Sequence, residues 1–105
     1  MEIKGHEMGN SLKSAKFLME SKLSRAAFGD INAYFDLGVA FSTGASGLDV
    51  DLIEAHKWFN LAAVAGHEQS QQCRAEISGE MSAREIAEAQ REARAWLAQV
   101  SQRAA

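Results

Sequence analysis

Three histidines (His6, His56 and His67), one cysteine (Cys73) and a scatter of aspartates are the residues of this 105-residue chain that could carry catalysis or hold a metal. Their spacing argues against both. No histidine has a Cys or His neighbour at metal-ligand spacing, so no structural zinc site is written in the chain and no metal is expected. His56 is read as an exposed polar residue and His67 as part of a helix start. Cys73 reads as a small buried apolar residue, since a free cysteine most often behaves so; a nucleophile would need a base beside it. Asp30, Asp36, Asp49 and Asp51 fall at helix ends or outward positions, where capping explains them better than acid–base work. The run Gly44-Ala45-Ser46-Gly47 is glycine-rich but has no lysine to complete a phosphate loop. The chain therefore reads as a non-enzyme without cofactor.

The elements that would position these residues are helices. Proline is absent and alanine abundant, and each favours helix over other structure. With 47% hydrophobic and 24% charged residues, the chain suits one globular domain with a thin core. Net charge is -3, which offers no electrostatic case for nucleic acid. Charge is uneven: residues 1–29 carry five Lys/Arg against three Asp/Glu, residues 30–81 two against eight, and residues 82–105 four against three. A lone cysteine, no apolar run of signal-peptide length and no membrane span lead to the expectation of a cytoplasmic protein.

Residues 1–10 read as a flexible lead-in and residues 11–105 as the folded domain. A first helix is expected from about Ser11, with Leu12, Ala15, Met19, Leu23 and Ala26 on its apolar face and Phe17, Leu18 and Phe28 widening it. Asp30 is placed to cap a second helix, whose buried face is Ala33, Leu37, Ala40 and Phe41. Gly38 within it predicts a close helix crossing. After the loop from Ser42 to Val50, Asp51-Leu52-Ile53-Glu54 resembles a capping box and starts a third helix. Ala55, Trp58, Phe59, Ala62 and Ala63 form its apolar face, and Gly66 closes it. A polar fourth helix runs from Glu68 to about Gly79, with Cys73, Ala75 and Ile77 expected inside. Ser82-Ala83-Arg84-Glu85 is a full capping box opening a fifth helix to about Gln102, lined by Ile86, Ala89, Ala93, Trp96, Leu97 and Val100. No segment alternates with period two.

Gly29 and Gly66 sit at corresponding points about 37 residues apart, in the range of helical-repeat periods. Ala33, Leu37-Gly38, Phe41, Gly44, Gly47-Leu48, Asp51, Ala55, Trp58-Phe59, Ala62-Ala63 and Gly66 together resemble a Sel1-like repeat, a relative of the tetratricopeptide repeats. The match covers about a third of the chain. Met81 to Gln90, with Ala95-Trp96-Leu97, resembles the closing helix that follows the last repeat in many bacterial members. Three departures stand out: the loop from Gly44 to Asp51 is one residue longer, Arg74 stands where a leucine would, and the first helix lacks paired large rings.

The resemblance implies an all-α fold, a short α-solenoid of about five antiparallel helices, and a protein–protein interaction role with no shared catalytic residues. Tyr34, Asp36 and Val39 stand at positions outside the family's set and are expected to form a partner-binding groove on the concave side, with Tyr34 as anchor. The leading function is a small adaptor or scaffold. The second is a structural or regulatory subunit lying along a larger complex through its apolar flanks. A hydrolase using Cys73 or a histidine is a distant third. Monomer and homodimer are both open. Trp58→Ala is expected to unfold the domain and Tyr34→Ala to spare it.

Overall fold

The computed structural model describes residues 16–104. The lead-in 1–10, His6, Leu12, Ala15 and the expected helix start at Ser11 lie outside the described residues. Among the described residues there are five α-helices, one 3-10 turn and no strand. Helix α1 covers residues 16–27. It is followed by α2 (Ile31–Thr43), the 3-10 turn Ala45–Gly47, α3 (Leu52–Val64), α4 (Glu68–Ser78) and α5 (Ala83–Ala104).

The starts of α2 to α5 are each capped by a side chain. The Asp30 carboxylate accepts from the Asn32 N–H at 2.9 Å and the Ala33 N–H at 3.4 Å. Asp51 accepts from the Glu54 N–H at 3.1 Å. His67 opens α4, its Nδ1 accepting from the Ser70 N–H at 3.2 Å. Ser82 and Glu85 make the reciprocal box: Ser82 Oγ accepts from the Glu85 N–H at 3.1 Å, and Glu85 Oε1 from the Ser82 N–H at 2.8 Å. Such bonds satisfy backbone donors that the first helical turn leaves unpaired. Between α2 and α3, Gly44 and Gly47 take φ of 73° and 79°, a region that costs other residues a steric penalty, and the Asp51 N–H donates to Phe41 O at 2.9 Å to close the loop.

Helix α3 is the centre. It packs on α2, α4 and α5, and it buries Ala55, His56, Trp58, Phe59, Leu61, Ala62 and Ala63. Its partners divide the core in two. One cluster joins Ala26, Ala33, Tyr34, Leu37, Trp58, Leu61, Ala62 and Ala93, with Met19, Phe41 and Trp96 against it. The other joins Ala55, Phe59 and Ile77, with Phe35, Val39, Cys73 and Met81 among its partly buried neighbours. The crossing foreseen at Gly38 is present: a Cβ there would lie 2.5 Å from the Phe59 ring.

Several expected burials are corrected. Phe17, Leu18 and Phe28 are exposed instead of widening the α1 core face. Ala26 is buried and Met19 packs against the core. At about 100° per residue, Phe17 and Leu18 point away from the side of α1 that those two share. In α4, Ile77 is buried but Ala75 is exposed and Cys73 half-buried, while Ser70 is fully buried through its bond to His67. In α5, Ala89 and Ala93 are buried and Leu97 is exposed.

Candidate protein-binding surface

Tyr34 sits on the first core cluster with 4% of its surface exposed. Its ring stacks on Trp58 at 5.9 Å between centroids and 27° between planes. Its hydroxyl accepts from the Trp96 Nε1–H at 3.3 Å, and Trp96 meets Trp58 edge-on at 4.8 Å. The cover is α5, which brings Trp96 over the surface that α2 and α3 would otherwise present. Tyr34 is thus a core residue and not an exposed anchor. The period of the helix explains this: Tyr34 follows Ala33 and precedes Leu37 by three residues, within the buried stripe.

Asp36 and Val39 do not join it. At about 100° per residue they stand roughly 200° and 140° around α2 from Tyr34. Val39 packs towards the Phe59 cluster, and its carbonyl accepts from the Ser42 and Thr43 hydroxyls at 3.1 and 2.8 Å. Asp36 is half-buried. The three residues named by sequence are therefore split between two sides of one helix.

Charged groups rim the Trp58–Trp96 contact. Glu54 Oε1 accepts from the Trp58 Nε1–H at 3.0 Å. The Lys57 ammonium lies 4.6 Å from the Trp58 ring centroid and 5.9 Å from that of Trp96. It reaches Glu54 at 3.4 Å and Glu92 of α5 at 4.0 Å. A cation on an indole face, held between two carboxylates, ties α5 to α3 electrostatically as well as by packing.

His56 is 2% exposed, which corrects the expectation of an exposed side chain. It falls among the buried residues of α3, and its Nδ1 has no hydrogen-bond partner. Burial first, and the Arg74 guanidinium second, push its pKa below the usual histidine value, so the ring is held neutral. Arg74 fills the place expected for a leucine by donating to Asn60 Oδ1. Burial, and secondarily Glu76, raise the Cys73 thiol. A thiol held protonated is a weak nucleophile. Among the described residues, no group of three His, Cys, Asp or Glu side chains is placed to hold a metal ion, and no helix is long and apolar enough to cross a membrane.

What the molecule does expose is apolar surface at the α1 end. Phe17 is 69% and Phe28 88% accessible, and Leu18, Leu23 and Ile31 are exposed with them. Beside Ile31 an open recess runs between the α1–α2 and α3–α4 turns, lined by Gly29, Asp30, Asn32, Ala65, Gly66 and His67. Val64, at the end of α3, is exposed as well. Composition hid this surface, because an apolar residue in a helical rhythm is read as core. The one sequence signal was an α1 apolar on more sides than a single neighbour can cover.

Comparison of the chain with family models, with curated proteins and with solved structures finds no match.

Proposed function

We propose that this protein is a protein-binding module whose contact surface is the exposed apolar end formed by α1 and the α1–α2 turn. The observation that carries the reading is the solvent exposure of Phe17, Leu18, Leu23, Phe28 and Ile31 together. Five large apolar side chains exposed along one short helix, the turn after it and the first residue of α2 exceed the single exposed apolar residues that are ordinary on a surface. Phenylalanine is among the aromatic residues enriched at the cores of interfaces.

This reading favours the accessory-subunit role over the adaptor with a groove at Tyr34. A subunit lies against its complex through an apolar flank, and Trp96 already fills the Tyr34 side. In the same reading Gly29–Gly66 is one Sel1-like repeat: two antiparallel helices of a short α-solenoid, working in the cytoplasm. Supporting it are the caps at Asp30 and Asp51, the close approach at Gly38 and the interlocked rings of α2 and α3.

The test is capture of partners from native extract with the wild-type chain and with Phe17→Ser/Phe28→Ser. Both side chains are exposed, so the double variant should keep the wild-type thermal stability. It should lose the partner that the wild-type chain retains. A partner held equally by both chains would sink the assignment to α1.

A further inference from the structure

We propose that α5 exchanges between two copies of this chain, with α4 and α5 joining into one continuous helix that carries α5 onto the other copy. The occupant of the surface over Tyr34 and Trp58 is then the α5 of a second molecule.

The joint between α4 and α5 differs from the others. The three earlier joints each contain glycine at positive φ: Gly29 at 84°, Gly44 and Gly47 at 73° and 79°, and Gly66 at 99°. Such residues lock a reversal of the chain, because no helix can run through them. Gly79 instead has φ -65° and ψ -18°, which are right-handed helical values. Beyond it the chain stays in a turn through Glu80 and bends at Met81. The N–H groups of Gly79, Glu80 and Met81 donate to the carbonyls three residues back, Glu76, Ile77 and Ser78, at 3.3, 2.9 and 3.2 Å. α5 begins at Ala83. Four residues, Gly79 to Ser82, separate the two helices, with no positive-φ glycine among them, and the capping box of Ser82 with Glu85 holds the break.

The seat of α5 is equally suited to exchange. The contacts that define it lie on α2 and α3: the Trp96 N–H to the Tyr34 hydroxyl, the Trp96 edge on Trp58, and Glu92 to Lys57. None of them needs α4. An α5 delivered by a second copy makes each again, and it buries Ala89, Ala93 and the Trp58 face as before. The exchange loses one cap per chain and gains the hydrogen bonds of an unbroken helix. That balance makes the joint a device for reciprocal exchange, closed into a two-fold dimer.

Two substitutions at the joint pull in opposite directions. Ser82→Ala removes the cap and supplies the best helix former, so it should raise the dimerisation constant by about tenfold. Ala83→Pro sits at the first position of α5, where proline is accepted because that N–H makes no helix bond. In a fused helix the same proline would be interior and would break it. Light scattering of the full chain across a wide concentration range reads the outcome. We expect wild type to shift from monomer to dimer as concentration rises, Ser82→Ala to dimerise more readily and Ala83→Pro to stay monomeric with unchanged helical content. Should Ala83→Pro fail to fold, a Gly-Ser-Gly insertion after Met81 blocks helix fusion without proline and should also give monomer. A direct check mixes two differently tagged wild-type chains at high concentration: capture on one tag should bring down the other as a heterodimer, and the same mixture of Ala83→Pro chains should not. Monomers at all concentrations for wild type and Ser82→Ala would overturn the proposal. So would an absent heterodimer, or an Ala83→Pro dimer as strong as wild type, which would assign self-association to another surface such as α1.

Discussion

Trp58 and Phe59 are neighbours in the chain and belong to two different interiors. The Trp58 side is an aromatic contact with polar tips: a tyrosine hydroxyl, two indole N–H groups, a lysine and two carboxylates arranged around stacked rings. The Phe59 side is shaped by apolar fit: Phe35 at 5.9 Å between ring centroids, a glycine under the ring, and Ile77 across from it. The first joins α5 to the α2–α3 pair, and the second joins α4 to it. Replacing parts of each should therefore give different kinds of loss. The Trp58 side, tipped with polar groups, loses in graded steps as its bonds are removed singly, whereas the dry Phe59 side fails by misfit.

The largest effects come from emptying either interior. Trp58→Ala and Phe59→Ala should each cost about 3–5 kcal/mol, as truncations of fully buried rings do. Tyr34→Ala belongs with them, contrary to the expectation that it would spare the fold, because its ring is buried against Trp58. Chemical denaturation of the three variants checks this. A Tyr34→Ala chain as stable as wild type would show that α5 does not hold the ring in solution.

Gly38→Ala tests the dry side by overfilling. The added Cβ would meet ring atoms of Phe59 at 2.5–2.9 Å, and overpacking typically costs about 1–3 kcal/mol. The contact is with a ring that is itself held by Phe35, so it has little room to give. Phe59→Leu in the same chain should recover part of the loss, a coupling that a double-mutant cycle measures. Additive losses would mean that the glycine is kept for a reason other than Phe59.

The legibility of these two sides differs for a physical reason. Helix ends were readable because capping is local: Asp30, Asp51 and Ser82 with Glu85 act within three residues of themselves. Gly38 was readable because a glycine weakens a helix interior and is kept there where a neighbouring element needs the space. The rings at Trp58 and Phe59, and Leu37 in the Trp58 cluster, were readable from the helical period. Tyr34 and His56 were not, because a polar tip on a buried body looks the same in sequence whether or not another helix lies over it. What covers Tyr34 is Trp96, 62 positions further on. Phe17 and Phe28 erred the opposite way, since periodicity can nominate a face but cannot count how many neighbours exist to cover it. The candidate surface was therefore the least legible part of the molecule.

His56 gives a prediction of intermediate size. Its folded-state pKa lies below the unfolded value, so the unfolded chain binds the proton first. Stability is full above about pH 6.5 and falls as pH drops below it, by at most about 1.4 kcal/mol per pH unit for one group. The loss levels off once pH passes below the folded-state pKa. His56→Leu removes both the titration and the unpartnered Nδ1. It should flatten the stability profile between neutral pH and the carboxylate range and leave stability at neutral pH equal or higher. A Leu variant with the same slope would assign the dependence to other groups.

Tyr34→Phe makes the smallest change and separates the two sides most sharply. It keeps the ring on Trp58 and deletes the acceptor of the Trp96 N–H. The expected loss is about 1 kcal/mol, the usual net value of one hydrogen bond, since the indole donor is only half-buried and can turn to water. The bond links α2 to α5, so the loss should appear selectively. Amide exchange should quicken along α5 while α4, fastened by the Phe59 side, keeps wild-type protection. If α4 and α5 loosen together, the two interiors form one cooperative unit. If α5 alone loosens, Trp58 and Phe59 divide the domain into a tightly fixed half and a helix that can be released.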